Sequence, residues 1–262
     1  MRQLRFVLRL AGLLALAGCA STPDDGLLAS TPIVRDLWRE SGSVVEVARF
    51  SRMKQGDPLP AGWEPWGANS GTRPTEYRLS ATMHGTVLEA NAERAGTGLY
   101  RKIRISPYRQ PYVEWAWRVD RLIPGADLRM AGREESPARL VVSFHGDPEK
   151  LDFEQRAKLR LAKAVAGEAL PYAMLIYVWS NDVGAETIVP NPHIDRIRTI
   201  VVERGKAQLG HWVQYRRNIL NDYRRAFDED PGDIVAVGVL TNTNNAQHSA
   251  HALYGDITFL SH

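Results

Sequence analysis

The sequence predicts a mainly β protein, an antiparallel β-sandwich of jelly-roll type with two inserted helices. Roughly ten short runs alternate apolar with polar residues and are bounded by Gly, Pro, Asn or Asp. Two stretches with helical spacing are inserted among these runs and do not alternate with them, which argues against a doubly wound α/β sheet. The third observation is the run Tyr112–Val119, bounded by Pro111 and by Ile123-Pro124-Gly125. Side chains of a strand alternate between its faces, so Val113, Trp115, Trp117 and Val119 share a core face. Tyr112, Glu114, Ala116 and Arg118 share the other, which carries a carboxylate and a guanidinium.

In chain order, residues 1–18 read as a lipoprotein signal peptide. Arg2, Arg5 and Arg9 form a positive start, and Leu10–Leu16 is an apolar run too short to span a bilayer. Leu16-Ala17-Gly18-Cys19 matches a lipoprotein cleavage box, with the Cys19 thiol as the site of lipid attachment. Ala20 rather than Asp after Cys19 points to the outer membrane, with the protein facing the periplasm. Residues 19–31 read as the lipidated cysteine and a flexible tether, and residues 32–262 as one sandwich domain. Within it, Pro32–Ser41 has the start of a short helix, with Thr31 as N-cap.

Val44–Phe50 alternates weakly as a first strand. The Pro/Gly-rich stretch Gly56–Trp63 reads as a loop that exposes Trp63 and Trp66. Tyr77–Met83 alternates with Tyr77, Leu79, Ala81 and Met83 inward. Thr86–Ala92 and Leu99–Ile105 follow as strands. Arg139–His145 has Leu140, Val142 and Phe144 on one face. Asp152–Gly167 is the clearest helix. Tyr172–Trp179 is apolar on both faces, and Arg196–Glu203 is a strand. Gln214–Phe227 reads as the second helix, with Ile219, Tyr223 and Phe227 on its buried stripe. Ile234–Thr241 and Tyr254–Leu260 close the domain.

The whole chain has 33 basic and 30 acidic residues. Loss of residues 1–18 removes Arg2, Arg5 and Arg9 and no acidic residue, which leaves the two signs level. That removes the electrostatic case for a nucleic-acid partner. The single cysteine, Cys19, permits no disulfide within the chain, so stability rests on the core.

Several segments together resemble the bacterial family called domain of unknown function 3047. They include Leu59–Trp63, Gly98-Leu99-Tyr100, Trp115–Val119, Pro137–Val142 and Leu170–Ala173 leading to Tyr177-Val178-Trp179. Arg196-Ile197-Arg198, Gly210–Trp212, Asp222–Phe227 and Tyr254–Ile257 complete the set. The resemblance implies an envelope β-sandwich protein and no particular reaction. This chain departs from the family in having Thr241-Asn242-Thr243-Asn244-Asn245 where relatives tend to be acidic. It has Glu134-Glu135 where they carry Asp.

The candidate ligand residues are strand-borne charges, aromatics and an Asn-rich edge: Glu114, Arg118, Arg139, Tyr177, Trp179, Arg196, Arg198, Asn242, Asn244 and Asp256. Neutral amides bond sugar hydroxyls without demanding charge, and arginines anchor carboxylates. A calcium site built from Asn242, Asn244, Asn245 and Asp256 would be poor in negative charge, so no metal or cofactor is expected. Trp115, Trp117, Tyr177, Trp179 and Trp212 are aromatics that could stack on a sugar, although alternation places Trp115 and Trp117 in the core. Ser143 and His145 share a strand face but lack a nucleophile turn, and no catalytic residue is assigned. The expected role is binding a glycan or other polar envelope ligand. The alternative is a polysaccharide-cleaving enzyme, a hydrolase or lyase, with Glu114 and Asp256 as its carboxylates. A third reading is a structural lipoprotein that docks on another envelope protein through the Arg129–Glu135 loop.

Overall fold

The structure, a computed structural model, describes residues 44–67, 72–166 and 170–262. The expected signal peptide, Cys19, the expected tether and the helix expected at Pro32–Ser41 lie outside the described residues. Thirteen strands and two α-helices are described: β1 Val44–Ala48, β2 Trp63–Trp66, β3 Glu76–Thr82, β4 Gly85–Glu93, β5 Gly98–Ile105, β6 Tyr112–Val119 and β7 Arg139–Phe144. Helix α1, Phe153–Ala166, comes next, followed by β8 Ala173–Ser180, β9 Ile188–Pro190, β10 Ile197–Arg204 and β11 Trp212–Asn218. Helix α2, Ile219–Phe227, leads to β12 Ile234–Leu240 and β13 Ser249–Leu260.

The strands form two sheets that pack as a sandwich. The front sheet has the order β11-β6-β13-β4-β3, with β1 also paired to β13. The back sheet has the order β2-β5-β12-β7-β8-β10-β9. Among the named strands pairing is antiparallel except between β8 and β10, which run parallel. Parallel neighbours need a longer connection than a hairpin, and residues 181–196 supply it, with β9 turning back on the free edge of β10.

The expected core face of β6 is the centre of the molecule. Val113, Trp117 and Val119 are fully buried and Trp115 nearly so. Trp115 crosses to the back sheet, its ring 5.0 Å from that of Tyr177. Tyr215 of β11 stacks on Trp115 at 5.0 Å. The two sheets differ on their outer faces. Behind the back sheet lies a second apolar cluster, in which Val141, Ile176, Val178 and Val201 pack with Leu128 and Val183 from loops. This explains why β8 is buried at every position. Among the described residues the front sheet's outer face has no such cover, and it carries the polar half of β6.

Three expectations need correction. Trp212–Asn218 is a strand, not the first half of a helix. It pairs antiparallel with β6, from Trp212 opposite Arg118 to Asn218 opposite Tyr112. The helix starts at Ile219 because the Asn218 side chain caps it, accepting the Asn221 N–H at 3.0 Å. Trp63 and Trp66 do not sit in an exposed loop. They form β2 on the edge of the back sheet, and Trp63 is buried with its ring 5.6 Å from Phe50. Met83 does not point inward but is 97% exposed, because β3 and β4 run past the core to a tip at Gly85, whose φ of +105° suits glycine. Ala81, beside that tip, is exposed for the same reason.

Candidate ligand-binding groove

A groove of about 440 Å³ lies on the front sheet's outer face. A bulge in β13 shapes its floor. Tyr254 pairs with Trp117 and Ile257 with Trp115, so Gly255 and Asp256 together oppose Ala116. A bulge of this kind re-aims side chains, and here it presents Asp256 on the polar face. Gly255 and Ala116 are small, so the floor is low. A Cβ on Gly255 would lie 3.4 Å from Ala116 and 3.8 Å from the Trp212 ring, which places that half-buried indole beside the floor.

The walls are polar. Glu114 of β6 and Thr258 of β13 line one side, and Gln214 of β11 continues the floor beside Ala116. Arg216, opposite Glu114 on β11, donates to it at 3.1 Å and packs over the Tyr112 ring at 4.5 Å. Asp256 accepts from the Ser51 N–H at 2.9 Å, from the Ser51 hydroxyl at 2.6 Å and from Arg49 at 3.3 Å. Asp256 thus latches the short 3-10 turn Phe50–Arg52 onto β13 and holds Arg49 at the groove. Buried Phe50 anchors the same turn from the core side.

The sheet's polar face continues beyond Trp212. Arg118 pairs with Asp120 at 2.9 Å. His251 bridges Asp120 at 2.6 Å and Glu89 at 3.0 Å. The Arg78 guanidinium bonded to Glu89, with help from Ser80, His251 and Asn91, holds that carboxyl well below the usual carboxylate range against the cost of its partial burial.

Of the residues expected at a site, Glu114 and Asp256 line the groove, and Arg118 adjoins it. The others lie elsewhere. Tyr177 and Trp179 are fully buried between the sheets, so neither is available to a ligand. The Tyr177 hydroxyl donates to Asp222 at 2.9 Å, and the Trp179 indole N–H donates to the Gly205 carbonyl at 3.0 Å. Arg196 is buried beneath α2, stacked on Tyr172 at 4.2 Å and paired with Glu229. Arg198 bonds the Asp195 carbonyl and lies 5.6 Å from the Phe227 ring centre. Arg139 turns back on the Glu134 carbonyl, and burial pulls its pKa down. Asn242 and Asn244 sit in the β12–β13 connection, which buried Glu135 fastens by accepting the Asn245 and Ala246 N–H groups. Tyr177, Trp179 and Arg196 are thus internal supports, whereas Arg139, Arg198, Asn242 and Asn244 are half-buried and stand apart from the groove's lining. Among the described residues no group of three or more His, Cys, Asp or Glu is arranged to hold a metal ion.

Gln214 and Arg216 were hidden by the helical reading of their segment. Trp212 stands in the sequence as one of five aromatics that could stack on a sugar and at the end of the family-like segment Gly210–Trp212. The signal for all three was the alternation of Val213, Tyr215 and Arg217 against Trp212, Gln214 and Arg216.

The family model described as protein of unknown function (DUF3047) matches residues 61–258, which include β2 to β12 and nearly all of β13. This chain belongs to the DUF3047 family. No curated protein matches this DUF3047 protein in sequence. Among solved structures it is similar to the xylan-binding module CBM15, at 12% identity, with 83% of this chain and 96% of that chain covered and a TM-score of 0.34. A likeness that distant carries no argument, and the sandwich follows from the chain's own strand pairing.

Proposed function

We propose that this DUF3047 protein binds a glycan in the front-sheet groove. The observation that supports the reading is the arrangement around the β13 bulge: an indole beside a low floor, ringed by carboxylate, amide, hydroxyl and guanidinium side chains. A sugar has the complementary surface, with C–H faces for the indole and hydroxyls for the polar groups. The groove's volume falls within the range of small-molecule sites. Retention on polysaccharide gels tests the reading. Trp212→Ala is expected to weaken binding by about 2 kcal/mol, roughly thirtyfold, as for an aromatic anchor at the centre of an interface. Its thermal midpoint should stay near that of the parent, because Trp212 lies on the outer face. Full retention by the variant would remove the groove from consideration.

The meeting of Glu114 and Asp256 in one groove favours a second reading, polysaccharide cleavage, which needs two carboxylates about the scissile bond. Against it, both are already engaged as acceptors, Glu114 by Arg216 and Asp256 by Arg49 and Ser51. Release of reducing ends from a bound polysaccharide, lost in Glu114→Gln, would establish cleavage.

For the segment outside the described residues, we propose a lipid anchor at Cys19, supported by the Leu16-Ala17-Gly18-Cys19 box. The anchor would hold the sandwich at the outer membrane, facing the periplasm. Among the described residues no helix is long and apolar enough to cross a membrane. Radiolabelled palmitate should enter the wild-type chain, and Cys19→Ser should abolish both labelling and membrane sedimentation. Unchanged labelling in the variant would refute the anchor.

A further inference from the structure

The strand register orders the front face into rows. Trp212, Arg118, Leu253, Glu89 and Arg78 lie opposite one another across β11, β6, β13, β4 and β3. Arg216, Glu114, Thr258 and Glu46 form another row across β11, β6, β13 and β1. Between them run Gln214, Ala116 and the Gly255–Asp256 bulge, and the lining continues to Val87 of β4. The small residues make this middle row a trough perpendicular to the strands. From β11 to β4 it crosses three inter-strand steps, on the order of 14 Å. That is the length of a few sugar rings in a line.

Both walls neutralise their own charge. In one row Arg216 pairs with Glu114 at 3.1 Å, and Glu46 pairs with Arg49 at 2.8 Å. In the other, Arg78 pairs with Glu89 at 2.8 Å and Arg118 with Asp120 at 2.9 Å. Asp256 takes the remaining reach of Arg49. A ligand carboxylate or ammonium would have to displace a partner already in place. A face with matched charges also gives no long-range attraction to a polyion. Hydroxyls, by contrast, can add to groups that are already paired, since carboxylates and guanidinium groups have more hydrogen-bonding positions than one pair uses.

Resting on the glycan reading above, we infer that the groove takes an uncharged linear polysaccharide, laid across the strands with one ring against Trp212. Affinity electrophoresis of the full chain tests this. The probes are neutral galactomannan, dextran and hydroxyethylcellulose, acidic alginate and polygalacturonate, and cationic chitosan, each at low and high salt. Retardation is expected with at least one neutral polymer, and salt should leave it unchanged. Oligosaccharides cut from that polymer should bind more tightly with each ring until the trough is filled and then level off. Ala116→Leu raises the floor on a half-exposed position and should weaken retention by about tenfold or more. Gly255→Ala repeats the test with a smaller group whose Cβ meets only ordinary contact distances.

Retention confined to acidic or cationic polymers, or lost at high salt, would overturn the inference while leaving a glycan site in place. Neutral binding that survives both floor variants, or that is equally tight for a single sugar, would overturn the trough. Failure of every polymer would overturn the inference together with the glycan reading beneath it.

Discussion

Trp117→Ala is expected to destabilise the protein by about 3–5 kcal/mol, the cost of removing a fully buried tryptophan. Trp117 heads the fully buried side chains and packs edge-on against Trp115 with ring centres 5.6 Å apart. It also meets Tyr215 edge-on at 5.4 Å, and Tyr215 stacks on Trp115. The loss therefore leaves a cavity between β6, β11 and the back sheet that stiff aromatic neighbours fill poorly. For a chain of this size the thermal midpoint should fall by on the order of 10 °C. Calorimetry would check it. A fall of only a degree or two would mean that the sheets close over the gap, and that the aromatic cluster does not set the spacing of the sandwich.

Asp222→Ala is expected to cost about 3 kcal/mol, at the lower end for breaking a buried charged pair. Asp222 is buried at the start of α2 and accepts three hydrogen bonds, each of 2.9 Å: one from the Tyr177 hydroxyl and two from Arg217. It fastens α2 to the end of β11 and to the back sheet at once. Arg217 would keep Glu186 as a partner, which limits the loss. The Tyr177 hydroxyl, fully enclosed, would keep none of the bonds that Asp222 gives it. Asp222→Asn retains an acceptor oxygen and should cost less than the alanine. Denaturant unfolding of the two variants would measure the difference, and equal losses would show that the carboxylate's charge, not its acceptor geometry, holds the helix.

The sandwich was legible because alternation is a backbone property. Trp115 and Trp117 could face only one way, and the continuous apolar run of β8 could only be buried on both sides. Helix spacing was equally plain for Ile219, Tyr223 and Phe227. It misled at Gln214–Asn218, because Tyr215 and Arg216 fit either period and only Asn218, as a cap, marks the change. The candidate site was half legible. Glu114 and Asp256 were found, since both stand on strands with a polar face. Tyr177, Trp179, Arg139 and Arg198 lie on the back sheet and Arg196 just before it, and alternation says which face a side chain takes, not what covers that face. The front sheet covers Tyr177 and Trp179, and helix α2 covers Arg196 and Arg198, through contacts far apart in sequence. The β13 bulge was likewise hidden, because it arises from pairing with β6 and not from the residues Gly255-Asp256 alone.

The central claim is that the front sheet's outer face is the binding face. Amide hydrogen exchange with and without a saturating polysaccharide that the chain retains tests it most directly. Protection is predicted in Glu114–Arg118, Trp212–Arg216 and Gly255–Thr258, and in the turn that carries Arg49 and Ser51. Protection centred instead on the β12–β13 connection around Asn242 and Asn244, or on β8 and β10, would contradict it.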